Sequence, residues 1–188
     1  KTWSLDILQD YGGNITWVPW DPKTNSPAKR SLALCDIKIT EQKYTYDGTE
    51  KTPEMVIMDG NYTLQKNTDY TVKCSNNTNA GNAELEITGA GNYSGTYKAG
   101  FLIEQTEPSL KFDKKTITVK YGTKPFLCVL SEKTTDGTIT YSSSNPKVAA
   151  VDPSTGKVTI KGGGTAAIMA YAAKGTNYTS GSTFCTIK

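Results

Sequence analysis

Tyr46-Asp47-Gly48-Thr49-Glu50-Lys51-Thr52-Pro53 is answered further along the chain by Tyr121-Gly122-Thr123-Lys124-Pro125. A second pair follows: Gly91-Asn92-Tyr93-Ser94-Gly95-Thr96 and Gly175-Thr176-Asn177-Tyr178-Thr179-Ser180-Gly181. The offsets are about 75 and about 85 positions, and self-similarity at one long period marks a structural unit used twice. A unit of about 80 residues rich in Thr, Tyr, Val and Gly has the size of a small β-sandwich. The chain therefore reads as two β-modules in tandem. That arrangement points to a scaffold or adhesion role before it points to chemistry.

Outward from the repeats, short alternating runs recur. Ala83-Glu84-Leu85-Glu86-Ile87-Thr88, Thr116-Ile117-Thr118-Val119-Lys120 and Lys157-Val158-Thr159-Ile160-Lys161 each turn one face to a core and one to water. No long window carries apolar residues at helical spacing. Asp59-Gly60 between apolar runs signals a hairpin, and the stretches 76–82, 152–156 and 162–164 signal turns. The expected fold is all-β: two tandem β-sandwiches with a short N-terminal extension. Module one is expected over 34–106, with strands at 34–39, 43–46, 54–58, 62–65, 69–74, 83–88 and 96–104. Module two is expected over 107–188, with strands at 109–112, 115–120, 126–130, 138–142, 147–151, 157–161, 165–173 and 182–187. Residues 1–33 read as an extension or the tail of a preceding domain, with one strand over 15–18.

All three tryptophans, Trp3, Trp17 and Trp20, fall in that extension. Two readings of Trp17 and Trp20 stand. Exposed rings stack on sugar faces, which makes them candidate ligand-binding residues; buried rings pack the extension onto its neighbour.

The 188 residues carry 21% charged side chains and a net charge of +3, with no run of four Lys or Arg. Nucleic acid is therefore not an expected partner. No apolar stretch reaches the length of a transmembrane helix.

Cys35, Cys74, Cys128 and Cys185 sit two to a module, each in phase with apolar neighbours. Without histidine, a zinc site would need all four thiols from both modules, so no metal is expected. Two readings remain: buried free thiols, or one disulfide per module, Cys35–Cys74 and Cys128–Cys185.

Catalysis needs a positioned acid, base or nucleophile with a partner. The missing histidine removes Ser-His-Asp and Cys-His constellations. Ser144-Asn145-Pro146-Lys147 has S-x-x-K spacing, but Pro146 and the flanking β-runs make it a turn. No catalytic residue, enzyme activity or cofactor is expected.

Ile139-Thr140-Tyr141-Ser142-Ser143-Ser144-Asn145-Pro146-Lys147-Val148-Ala149-Ala150-Val151-Asp152, followed by Gly156-Lys157-Val158 and Gly164-Thr165-Ala166-Ala167-Ile168, resembles the group 2 bacterial immunoglobulin-like domain. Tyr141 stands where that hallmark often has Trp. Tyr46-Asp47-Gly48, Asp69-Tyr70-Thr71-Val72, Asn76 to Gly81 and Thr88 to Thr96 resemble a related repeat of secreted bacterial surface proteins. The resemblance implies that the two tandem sandwiches are immunoglobulin-like, with a cell-surface or secreted bacterial location and a role as spacer or adhesion scaffold. The alternative it implies is a carbohydrate-binding or accessory region of a larger extracellular carbohydrate-active enzyme. The expected partners are a glycan or a host or cell-surface protein, and the expected state is a monomer.

Overall fold

The computed structural model describes residues 6–11, 14–21 and 26–188; for the first two stretches and for Ser26 it describes the backbone alone. The protein is all-β, with several sheets. Its contacts divide it into two compact units, Lys1–Tyr44 with Gly48–Ile103 and Thr45–Asp47 with Glu104–Lys188.

The first unit opens on an antiparallel ribbon of β1 (Asp6–Tyr11) and β2 (Asn14–Asp21), with Tyr11 opposite Asn14. β3 (Ser26–Pro27) lies beside the end of β2. Then come β4 (Arg30–Ser31), a 3-10 turn at Leu32–Leu34, β5 (Asp36–Ile39), β6 (Lys43–Thr45) and β7 (Met55–Asp59). β8 (Tyr62–Thr63), β9 (Tyr70–Ser75), β10 (Gly81–Gly89), β11 (Tyr93–Ser94) and β12 (Thr96–Glu104) complete it. One sheet has the order β6-β12-β10-β9 and the other β5-β7-β8, while β11 pairs with β4 in parallel. Alternation along β10 and β12 sends Leu85, Ile87, Phe101 and Ile103 into the core, where Ile57 and Leu32 are also buried.

The second unit contains β13 (Ser109–Phe112), β14 (Thr116–Ile117), β15 (Phe126–Leu127), β16 (Leu130–Thr134) and β17 (Ile139–Ser143). β18 (Ala149–Val151), β19 (Lys157–Ile160), β20 (Ala166–Ala172) and β21 (Gly181–Ile187) follow. Its sheet β14-β21-β20-β17 repeats the order of β6-β12-β10-β9. Opposite stand β15-β19-β18 and the pair β13–β16. Phe112, Cys128, Val158, Ile168, Cys185 and Ile187 meet in the core between them.

Several expected strands differ in outline. The expected 126–130 strand divides: β15 pairs with β19 and β16 pairs with β13, so Cys128 sits where the chain changes partner. The expected 115–120 strand pairs as a ladder only at Thr116–Ile117, after which Val119 N–H donates to Lys188 O at 2.9 Å. Residues 32–34 form a 3-10 turn instead of a strand start, because Ser31 caps it by accepting from Ala33 N–H. Before position 34 the chain is already part of the first unit: β4 pairs with β11, and Leu32 is fully buried. Burying a leucine stabilises by about 2 kcal/mol.

Candidate functional site

The first unit holds a polar cluster among its apolar residues. Arg30 Nε lies 2.6 Å from Asp59 Oδ2, and the Tyr93 hydroxyl donates to the same oxygen at 3.5 Å. Nearby, the Tyr62 hydroxyl (2.8 Å) and Gln65 N–H (2.9 Å) donate to Asp69 Oδ2. Asp59 and Asp69 are both buried, and a buried carboxylate persists only with such partners. Burial pushes the Tyr93 phenol well up, with Asp59 next in effect. The Arg30 guanidinium is held above its ordinary value by its hydrogen bond to Asp59. The pair is an ion clamp between the entering chain and the end of β7.

Both units grip the chain entering them in the same way. Arg30 N–H donates to Asn92 O at 2.9 Å; Thr106 N–H donates to Asn177 O at 3.1 Å. Tyr93 is the parallel partner of Arg30, and Tyr178 is the parallel partner of Thr106. These are the tyrosines of the repeated Gly-Asn-Tyr and Gly-Thr-Asn-Tyr strings. In the second unit the clasp is reinforced by Thr179 N–H to Thr106 O (2.9 Å) and by the Gln105 side-chain amide to Gly175 O (2.7 Å). Asp136 Oδ2 accepts from Asn177 N–H at 2.8 Å, and Tyr46 meets Tyr178 edge-on with centroids 5.5 Å apart.

The hallmark run of the second unit is a set of local locks. Ser144 N–H donates to Ala167 O (2.9 Å), and Ala167 N–H donates back to Ser144 Oγ (2.8 Å). Asn145 O accepts from Val148 and Ala149 N–H, both at 3.0 Å. Asp152 Oδ1 accepts from Ser154 N–H, Thr155 N–H and the Thr155 hydroxyl, which hold its carboxyl below the usual range. Ser144 and Lys147 occupy a bend and a turn, so the S-x-x-K spacing serves strand closure.

The two units differ on the outer faces of their matching sheets. In the first, one row is Lys73, Glu86 and Lys98, with Lys98 Nζ 2.8 Å from Glu86 Oε2. These residues line a shallow groove of about 610 Å³. In the second, the outward positions of β17, β20 and β21 carry no charge. Phe184 is opposite Met169, Met169 opposite Ser142, and Tyr171 lies between Thr140 and Ser182. Phe184 is 67% exposed, Met169 41% and Tyr171 40%. Sequence reasoning passed over these residues because alternation alone assigns them to solvent without asking what kind of surface they make together.

Trp17 and Trp20 lie on β2, but their side chains are outside the described residues, as is Trp3 altogether. Cys128 and Cys185 share the core of the second unit, while the Cys35 thiol donates to Ser31 O at 3.8 Å and Cys74 is opposite Leu85. All four are free thiols, Cys35 and Cys74 half-buried and Cys128 and Cys185 buried. No group of three or more Cys, Asp or Glu side chains suited to a metal ion occurs among the described residues. Nor is there a helix there long and apolar enough to cross a membrane.

A family model described as "Intimin, immunoglobulin-like domain" matches residues 133–174, the stretch that contains the hallmark run. Among solved structures, the chain is similar to "Protocadherin Gamma B2 extracellular cadherin domains 3-6" at 13% identity and a TM-score of 0.34. That likeness covers 82% of this chain and 49% of the other, so the chain spans about half the length of that structure. No curated protein matches the chain. Residues 133–174 of the second unit are thus similar to the immunoglobulin-like domain of intimin.

Proposed function

We propose that the chain is a non-catalytic spacer and adhesion scaffold of a bacterial surface or secreted protein. In this reading residues 34–106 and 107–188 are successive repeats, the second a group 2 bacterial immunoglobulin-like domain acting as a monomer. The observation that carries the reading is the repeated clasp: Asn92 and Asn177 hold the entering chain by the same backbone bond. A unit that takes the chain leading into it into its own hydrogen bonding fixes where that chain enters, as a module added to a string does. The test exchanges this segment, within the protein that carries it, for two unrelated sandwiches of equal length. Unchanged adhesion supports the spacer; lost adhesion shows that the segment itself binds.

One observation favours the second reading, a carbohydrate-binding accessory region. Phe184, Met169 and Tyr171 form an uncharged apolar face rimmed by the hydroxyls of Thr140, Ser142, Ser182 and Thr186. Apolar rings stack on the C–H faces of sugars, and hydroxyls replace water around them. A neutral polysaccharide is the ligand class such a face suits. Affinity electrophoresis through neutral glucans, xylans and mannans tests it: Phe184→Ser is expected to abolish retardation with folding intact. If the parent chain is retarded and only Trp17→Ala with Trp20→Ala removes the effect, the site lies on β2 instead.

A further inference from the structure

We propose that Cys128 and Cys185 close a disulfide that ties the two faces of the second unit's sandwich together, while Cys35 and Cys74 remain thiols. Cys185 lies on β21 in the four-stranded sheet, and Cys128 follows β15 in the opposing one. Both are buried free thiols, at 0% and 4% exposure, in one core cluster, and Cys185 Sγ donates to Thr186 O, at 3.8 Å. A cavity of about 180 Å³ borders both cysteines, so the sulfurs have room to draw together without overpacking the core. The first unit offers no such pair. The Cys35 thiol contacts Ser31 O, while Cys74 is opposite Leu85 on β10.

The bond needs an oxidant, here a small-molecule or protein disulfide. One cysteine thiolate attacks a sulfur of that disulfide, whose S–S bond breaks and releases one thiol. The second cysteine then attacks the first cysteine's sulfur in the mixed disulfide and expels the other thiol. Two thiols are oxidised, one disulfide is reduced to two thiols, and the two protons leave with the departing sulfurs. Burial pushes the Cys128 thiol up to about 12, so little thiolate exists once the core has closed. The bond therefore forms during folding, and after closure the core shields it from reductants. Its occurrence in the native protein rests on the surface or secreted reading above, since such compartments are oxidising; its geometry does not.

The experiment refolds the full chain from denaturant in a mixture of reduced and oxidised glutathione. Remaining thiols are alkylated under denaturing conditions, and unreduced peptides are mapped by mass spectrometry. A linked Cys128–Cys185 peptide with alkylated Cys35 and Cys74 is expected, with a rise on the order of 10 °C in the melting temperature of the second unit. Recovery of Cys128 and Cys185 as alkylated thiols, or paired with Cys35 or Cys74, overturns the proposal. Cys128→Ala/Cys185→Ala serves as the comparison: glutathione disulfide must leave its melting temperature unchanged. A second arm traps thiols at harvest from the producing cells. The bond made by refolding but missing there overturns its native occurrence, and places the failure in the location reading and not in the geometry.

Discussion

The ring of Tyr141 fills the space that a side chain at Gly156 would need: a Cβ there would stand 3.0 Å from both Cε1 and Cζ. Gly156 also has φ of +72°, a left-handed conformation that costs a residue with a side chain about 1 kcal/mol. The two halves of the hallmark run, Tyr141 and the Gly-x-Val that follows, are therefore one packing element. Gly156→Ala is expected to destabilise the second unit by about 2–3 kcal/mol, from backbone strain plus displacement of the ring. Chemical denaturation measures this. In a double-mutant cycle Tyr141→Ala should recover the steric part but not the backbone part. Strict additivity would show that ring and glycine do not compete.

Asp59 anchors the entering chain of the first unit through Arg30. Asp59→Ala leaves a guanidinium and the Tyr93 hydroxyl facing an apolar gap, and is expected to cost about 3 kcal/mol. Asp59→Asn keeps an acceptor, and roughly half that cost is expected. Hydrogen exchange should show the loss in β7, β10 and β11 with the second unit untouched. Equal effects of the two substitutions would mean that a neutral acceptor contributes nothing, and an Asp59→Asn variant as stable as the parent would mean that the charge contributes nothing.

The architecture was legible where the alternation was strong. Ala83 to Thr88 and Lys157 to Ile160 read as strands because each alternate residue is apolar, and both are strands. Leu130–Thr134 was missed beyond its first residue because its exposed side chains are Ser, Glu, Lys and Thr; pairing with β13 makes it a strand, not local preference. Tyr93–Ser94 fell between the expected strands 83–88 and 96–104, and it becomes a strand only because β4, distant in sequence, lies beside it. The phase of all four cysteines with apolar neighbours was visible, but only Cys128 and Cys185 are buried, because burial and which thiols meet depend on how the sheets face one another. The uncharged face of Met169, Tyr171 and Phe184 is a property of three strands at once, and no single run displays it.

Reduced protein should be sensitive to alkali in its second unit. Burial pushes both the Cys128 and Cys185 thiols above their ordinary value of 9.0, so the folded state holds these protons more tightly than the unfolded chain. Their contribution to stability is whole below about pH 9 and is lost as pH rises from there toward 12. Urea midpoints of the reduced protein measured from pH 7 to pH 11 should fall more steeply above pH 9 than those of Cys128→Ala/Cys185→Ala. Parallel curves would mean that the buried thiols do not govern the alkaline limb.

The clasp can be tested by removing one backbone donor at a time. Thr106→Pro deletes the N–H that reaches Asn177 and is expected to weaken the second unit by about 1–2 kcal/mol, the net worth of a lost hydrogen bond with its acceptor left unmet. Arg30→Pro deletes the matching donor to Asn92 but also the ion pair to Asp59, so its reference is Arg30→Ala. The difference between those two variants should match the Thr106→Pro effect to within about 0.5 kcal/mol, because the bond they remove is the same in both repeats. Hydrogen exchange at 89–95 and 175–181 locates the loss: each proline should loosen only the loop of its own unit. A Thr106→Pro variant whose loop at 175–181 stays fully protected would show that Thr179 N–H to Thr106 O and the Gln105 side chain hold the entering chain without the repeated bond, and that this bond is not what builds these units into a string.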